Sequence, residues 1–343
     1  MMQALRKTGP APEDIALQDV PRPEAGPGQV VVDVAAAGLC GTDLHILEGS
    51  YSSRPPVTLG HEVSGTIASV GEGVDPARIG EKVALETFFS VCGVCRGCRS
   101  GSPNRCQSRV SIGSGTDGGF AEQIVVPAKN ARRLPEHVRV DVGALSEPLA
   151  CVCRSLFHPT PAVQAADRVL VIGPGAMGLL AAQVARISGG VVTVLGTPSD
   201  ADRLDVASSL GFETATDPGQ LPAEFDVVLE CSGSAGGMAE GITRVTRGGR
   251  YVQIGQRGNA VPVHLALVSF HELVITGGFA STPGSWDHAM RLLELRLVDL
   301  EPLVSRTYPL DEWQAAFAAV RASEGVKQLL SPGGVLSPAG ARA

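Results

Sequence analysis

The sequence predicts an α/β protein in two parts. The second half should form a doubly wound parallel sheet, and the first half a β-barrel-like domain with a cysteine-rich lobe. Three observations predict this. Residues 168–187 read as strand, glycine turn and helix, and strand and helix patterns keep alternating after them, which implies parallel pairing. The first half carries short strands separated by glycine turns. Four of the eight cysteines crowd into residues 92–106.

In the first half the strand candidates are residues 30–36, 63–70, 82–85 and 121–126, with Gly71-Glu72-Gly73 and Gly118-Gly119 among the turns between them. The cysteine loop has the pattern Cys92-x2-Cys95-x2-Cys98-x7-Cys106, with Gly93, Gly97, Gly101 and Pro103 between the thiols. Four thiolates in a glycine-bent loop suit a closed, tetrahedral structural zinc. Such a metal fixes a loop that has little apolar material of its own. An iron–sulfur centre and metal-free thiols are the competing readings.

A second group of metal-ligand types is split across two strand ends. Cys40 opens Cys40-Gly41-Thr42-Asp43-Leu44-His45 behind the first strand, and His61-Glu62 opens the second. A thiolate, an imidazole and a carboxylate are ligands that a catalytic zinc takes from protein, leaving one position open. Read singly, the cysteine is a small buried hydrophobe and the His–Glu pair an ordinary polar pair. Cys151, Cys153 and Cys231 read as core packing.

In the second half, Gly173-Pro174-Gly175-Ala176-Met177-Gly178 lies between an apolar run at 168–172 and a helical pattern at 179–187. That context makes it a dinucleotide site. Gly173 permits the tight turn, Gly175 admits the pyrophosphate, and Gly178 lets the helix pack close to the strand. Further strands are predicted at 191–195, 226–229, 250–254 and 273–276. The acidic residue that would bond a ribose 2′-hydroxyl about 20 residues on is missing, because the second strand ends at Leu195-Gly196-Thr197. Gly196 leaves room for a 2′-phosphate and Arg203 can pair with it, a slight lean to NADP. An ordinary solvated helix arginine is the competing reading.

Length and charge narrow the function class. At 343 residues the chain fits about two domains, and a net charge of −7 gives no footprint for nucleic acid. The longest uncharged run, residues 169–185, is short for a membrane span and broken by glycine and proline. The N-terminus lacks the apolar core of a secretory signal, and free-thiol chemistry points to the cytoplasm.

Taken together, these motifs resemble the zinc-dependent medium-chain dehydrogenases, in particular the polyol (sorbitol) and threonine dehydrogenase branch. The likeness runs from about residue 30 to residue 330. It implies a GroES-like catalytic domain over residues 1–148 with a zinc lobe at about 90–108, a Rossmann nucleotide domain over 149–280, and a return segment over 281–343. Within the return, helices are expected at 286–297 and 310–320 and a closing strand at 327–330, followed by a loose tail. The resemblance makes Cys40, His61 and Glu62 ligands of one catalytic zinc and Cys92, Cys95, Cys98 and Cys106 ligands of one structural zinc per chain. Glu147, in Ser146-Glu147-Pro148, would sit beside the catalytic zinc or its water; a helix N-terminal carboxylate is the competing reading. Thr42 and His45 match the family's proton-relay positions, and Leu47, Tyr51, Ser114 and Phe120 its substrate pocket. The implied activity is hydride transfer between a secondary alcohol of polyol, sugar or cyclitol type and NAD(P), giving a ketone, in a homodimer or homotetramer with no membrane or nucleic-acid partner. The alternatives are a threonine-type 3-hydroxy amino acid dehydrogenase and a non-catalytic nucleotide-binding protein on the same fold.

Overall fold

The computed structural model describes residues 1–333. The chain folds as two compact units, one of Met1–Glu147 with the chain from Val304 onward, the other of Pro148–Leu303.

The first unit is built on the strand Gln29–Gly38, whose valines alternate into a core that also takes Leu5, Phe120 and Phe317. It pairs antiparallel with Glu62–Val70 along its whole length. On its other side it pairs first with Gln123–Pro127 and then with Lys327–Ser331. Register shifts at Val31/Val32 and Val34/Ala36 mark bulges in this strand, and bulges bend a sheet and add twist. Lys82–Leu85 and Ala131–Arg133 extend the sheet at one end, Val304–Pro309 at the other. A small antiparallel sheet of Ile15–Val20, Met2–Lys7 and Val57–Thr58 lies apart from it. Sequence reasoning missed Met2–Lys7, Ile15–Val20 and Val304–Pro309.

The second unit holds six parallel strands in the spatial order Glu213–Ala215, Val191–Leu195, Arg168–Ile172, Phe225–Glu230, Val245–Gln253, Val274–Gly277. Numbered along the chain this is 3-2-1-4-5-6, the doubly wound order, with its switch point between Arg168–Ile172 and Phe225–Glu230. The chain re-enters the first unit at Val304 rather than at 281. The helix Pro283–Glu294, expected in the return segment, therefore belongs to the second unit. Gln183 of the helix Ala176–Ile187 explains part of this: its amide donates to the Asp299 carbonyl at 3.0 Å and accepts the Asp299 N–H at 2.8 Å. Trp286 is fully buried, with its indole N–H on Ser281.

The expected helix at 310–320 is Trp313–Arg321, and the closing strand is Lys327–Ser331. Of the tail expected beyond residue 330, Ser331 still lies in that strand, and residues from 334 on fall outside the described residues. No helix among the described residues is long and apolar enough to cross a membrane.

Candidate functional site

Strand pairing in the first unit builds the candidate metal site. The strand Gln29–Gly38 ends two residues before Cys40, and its partner begins at Glu62, with Gly38 opposite Glu62. Cys40 then starts the short helix Gly41–Leu47. Cys40, His61 and Glu62 each place a ligand atom within 4.8 Å of the other two. Thiolate, imidazole and carboxylate converging at a partly buried point fit a divalent zinc.

Asp43 orients this group, and sequence reasoning gave it no role. It is fully buried. Its Oδ2 accepts the Cys40 backbone N–H at 2.9 Å, and its Oδ1 stands 3.8 Å from His61 Nδ1 with no hydrogen-bond partner of its own. A carboxylate behind a histidine fixes the ring and raises its basicity toward a metal. Burial pushes the His61 imidazole down, but Asp43 and the Cys40 thiolate outweigh it and hold the pKa well above the ordinary value.

Glu62 is held by a residue that sequence reasoning read only as part of a strand. Lys327 Nζ donates to Glu62 Oε1 at 2.9 Å, to Oε2 at 2.8 Å, and to the Leu39 carbonyl at 3.0 Å. Glu62 is 2% and Lys327 7% exposed. Desolvation opposes the charged lysine, but the nearby Glu62 and Cys40, with Glu147, raise its pKa overall.

Glu147 lies outside the close trio. It lies in the first turn of the helix Ser146–Phe157 and accepts the Thr87 hydroxyl at 2.8 Å. Thr42 brings its hydroxyl to 3.7 Å from the Cys40 sulfur. His45 is exposed, with Nδ1 3.3 Å from the Ser50 hydroxyl. Among the described residues Thr42 and His45 share no hydrogen bond. Leu47 and Phe120, expected to line a pocket, are buried in the core.

The cysteine lobe carries the second group. Cys92, Cys95, Cys98 and Cys106 lie with their sulfurs within 4.8 Å of one another. The strands Phe88–Ser90 and Val110–Ser111, which flank the lobe in sequence, pair with each other. Backbone N–H groups of Cys95 and Val94 lower the Cys92 thiol to about 6, while burial and the neighbouring thiols push Cys98 up to about 12. Four sulfurs and no other ligand type suit a closed zinc site.

In the second unit the glycine turn has the geometry a pyrophosphate needs. Gly173 has φ +98°, and a Cβ on it would lie 2.8 Å from Ser232 backbone atoms. A Cβ on Gly178 would lie 1.9 Å from the Gly173 carbonyl oxygen. Gly175 caps the helix Ala176–Ile187 and faces open space, so the N–H groups at Ala176 and Met177 begin a helix where an anion can approach. A fully buried carboxylate, Glu230, shapes the adjoining turn. It accepts the N–H groups of Ser232 (2.9 Å) and Gly233 (3.1 Å) and the Gln253 amide (2.6 Å). An acid ending an apolar strand before Cys231-Ser232-Gly233 was the available signal for it.

Past the next strand, Gly196 is packed among Pro174, Asp200 and Leu204. Thr197 and Ser199 bring their hydroxyls 2.8 Å apart, Thr197 donates to Asp200 at 2.7 Å, and Arg203 lies 3.5 Å from Asp200.

Residues 26–136 match the alcohol dehydrogenase GroES-like domain and residues 176–294 the zinc-binding dehydrogenase domain. The chain is 36% identical to a sorbitol dehydrogenase of Halalkalibacterium halodurans, over 96% of this chain and 99% of that one. It is 34% identical to an L-threonine 3-dehydrogenase of Streptomyces avermitilis over the same shares. A zinc-binding dehydrogenase from Sinorhizobium meliloti 1021, solved with NADP, superposes with a TM-score of 0.88 at 31% identity, covering 97% of this chain and 99% of that one. The family's zinc and nicotinamide cofactor are groups that this donor set and this glycine turn fit. The chain belongs to the zinc-dependent medium-chain dehydrogenases, in the sorbitol and threonine dehydrogenase branch, and is an alcohol-oxidising enzyme of that family.

Proposed function

We propose that this enzyme oxidises a secondary alcohol of polyol, sugar or cyclitol type to a ketone, with one catalytic and one structural zinc per chain. The convergence of Cys40, His61 and Glu62 carries this reading. Zinc held there would supply Lewis acidity toward the substrate hydroxyl, and the nicotinamide would accept the hydride. The protein's own residues do the positioning. Asp43 sets the His61 ring, Thr42 stands at the thiolate, and Thr87 orients Glu147, which takes the place beside the metal. His45, exposed next to Ser50, suits the outer end of a proton path. The cysteine lobe holds shape.

For the cofactor we favour NADP. Gly196 projects no side chain, and Thr197, Ser199 and Arg203 offer two hydroxyls and a guanidinium to a 2′-phosphate. Arg203 must then exchange Asp200 for the phosphate. Arg203→Ala is expected to raise the KM for NADP about tenfold while leaving that for NAD unchanged; an unchanged NADP/NAD ratio overturns the preference. The dehydrogenase relatives and the free cysteines suit a cytoplasmic enzyme. For the assembly we infer a homodimer or homotetramer. The edge strand Val274–Gly277 exposes Val274 and Ile275 close to Phe270, which is 70% exposed, and an apolar open edge favours pairing with a second copy.

The test is reduction of NAD or NADP followed at 340 nm across polyols, sugars, cyclitols and threonine, with and without a zinc chelator. Chelator-sensitive turnover on a polyol, sugar or cyclitol supports the reading. Turnover confined to threonine moves the assignment to the 3-hydroxy amino acid class. No turnover in protein holding two zincs removes the substrate assignment.

A further inference from the structure

The Glu62–Lys327 pair spans three strands. Glu62 starts one neighbour of the central strand, and Lys327 starts the other. Their registers place Gly38 opposite both Glu62 and Leu329. Glu62 reaches over the central strand at Gly38, where a Cβ would meet its Oε2 at 2.1 Å. The glycine thus opens a path across a strand, and the carboxylate passes through it to the lysine. Strands lie about 4.8 Å apart, so only a long side chain on the far strand can close the gap.

The consequence concerns the metal. Lys327 donates to both oxygens of a carboxylate that also lies within ligand reach of Cys40 and His61. One carboxylate is therefore shared between an ammonium and the metal position. We propose that Lys327 is a positioning residue of the catalytic metal site, which restrains Glu62 from full ligation and so keeps the site's metal exchangeable and one position open to substrate. This rests on the zinc assignment to Cys40 and His61 made above. The sign follows from charge. Without the ammonium, a buried carboxylate has the metal as its nearest cation, so the metal should bind more tightly and the open position a catalytic zinc needs should fill.

The experiment is zinc release to a chromophoric chelator from the purified full chain. The catalytic-site phase is identified as the one missing from Cys40→Ser protein. Lys327→Met is expected to slow that phase about tenfold or more and to lower kcat, with the lobe's zinc released as before. Lys327→Arg, which keeps the charge, is expected to restore the wild-type rate. A purely structural lysine would leave release unchanged or speed it, and either result in folded Lys327→Met overturns the proposal. Should that variant not fold, Glu62→Gln serves. Its release is expected to change by less than about threefold, because the carboxylate is already restrained, and tenfold faster release overturns the proposal. Wild-type protein holding a single zinc, with no phase lost in Cys40→Ser, defeats the zinc assignment itself. Two zincs with an unaltered phase in Lys327→Met defeats only the role of Lys327.

Discussion

Asp43 stands 3.8 Å behind His61 while its other oxygen takes the Cys40 N–H, so one buried carboxylate sets two candidate ligands that lie 21 positions apart in the chain. Asp43→Asn keeps the shape and removes the charge. It is expected to speed release of the catalytic-site zinc about tenfold or more, opposite in sign to Lys327→Met. Chelator kinetics on the two variants side by side check both signs, and unchanged release in Asp43→Asn would remove Asp43 from the site.

The cysteine lobe should show a reactivity order once stripped of metal. With a thiol pKa of about 6, Cys92 is largely thiolate at pH 7.5, whereas Cys98, at about 12, stays protonated. Since the thiolate is the nucleophile, iodoacetamide should modify Cys92 well before Cys98, as read by peptide mass spectrometry. Zinc-loaded protein should resist at both. Equal rates in the stripped protein would contradict the arrangement.

Two glycines of the nucleotide turn separate binding from folding. Gly175 has φ −74° and nothing within 4 Å of a built Cβ. Gly175→Ala should leave stability within about 0.5 kcal/mol yet weaken nucleotide binding, because the methyl fills the phosphate's space. In Gly178→Ala the Cβ meets the Gly173 carbonyl at 1.9 Å. That variant should lose about 2 kcal/mol or more as well as the cofactor. Thermal melts and nucleotide fluorescence titration distinguish the two.

Acid should weaken the second unit partly through Asp226. Its carboxyl is held below the usual range first by the Arg168 backbone N–H at 2.8 Å, then by the Arg168 and Arg250 charges, against some desolvation. A lowered folded pKa adds stability above the unfolded value near 4, which is lost as pH falls through the folded value. Because the group is about one-third exposed, the effect is small. Asp226→Asn should cost about 1 kcal/mol at pH 7, and the difference from wild type should vanish by about pH 2. A constant difference across that range would mean that charge is not the cause.

The legible parts of this protein are those whose chemistry is local. The glycine turn declares itself because strand, turn and helix are consecutive, and the four cysteines because they share one loop. The strands running through residues 30–36 and 63–70 stand out because valine recurs on a buried face. Ile15–Val20 and Val304–Pro309 were illegible because edge strands carry half-polar patterns such as Ser305-Arg306-Thr307. The C-terminal domain boundary was displaced because Gln183 bonds Asp299 across 116 positions, which no local pattern announces. Asp43 had a local signal, three residues after Cys40 at the start of a helix, that went unused. Lys327 had none, since its meaning comes only from which strand lies beside which.

The ion pair between Glu62 and Lys327 links residues 265 positions apart, with the whole second unit between them. During synthesis, domains generally fold as units from the N-terminus. The nucleotide-binding unit is thus complete in the emerging chain before the last strand of the first unit exists. Until residue 327 leaves the ribosome, Glu62 has no lysine and the Ala37-Gly38 end of the strand Gln29–Gly38 has one unpaired flank. The candidate metal site is therefore among the last features of this protein to form, and a chain cut short ahead of that strand would hold a finished nucleotide fold beside an unfinished one.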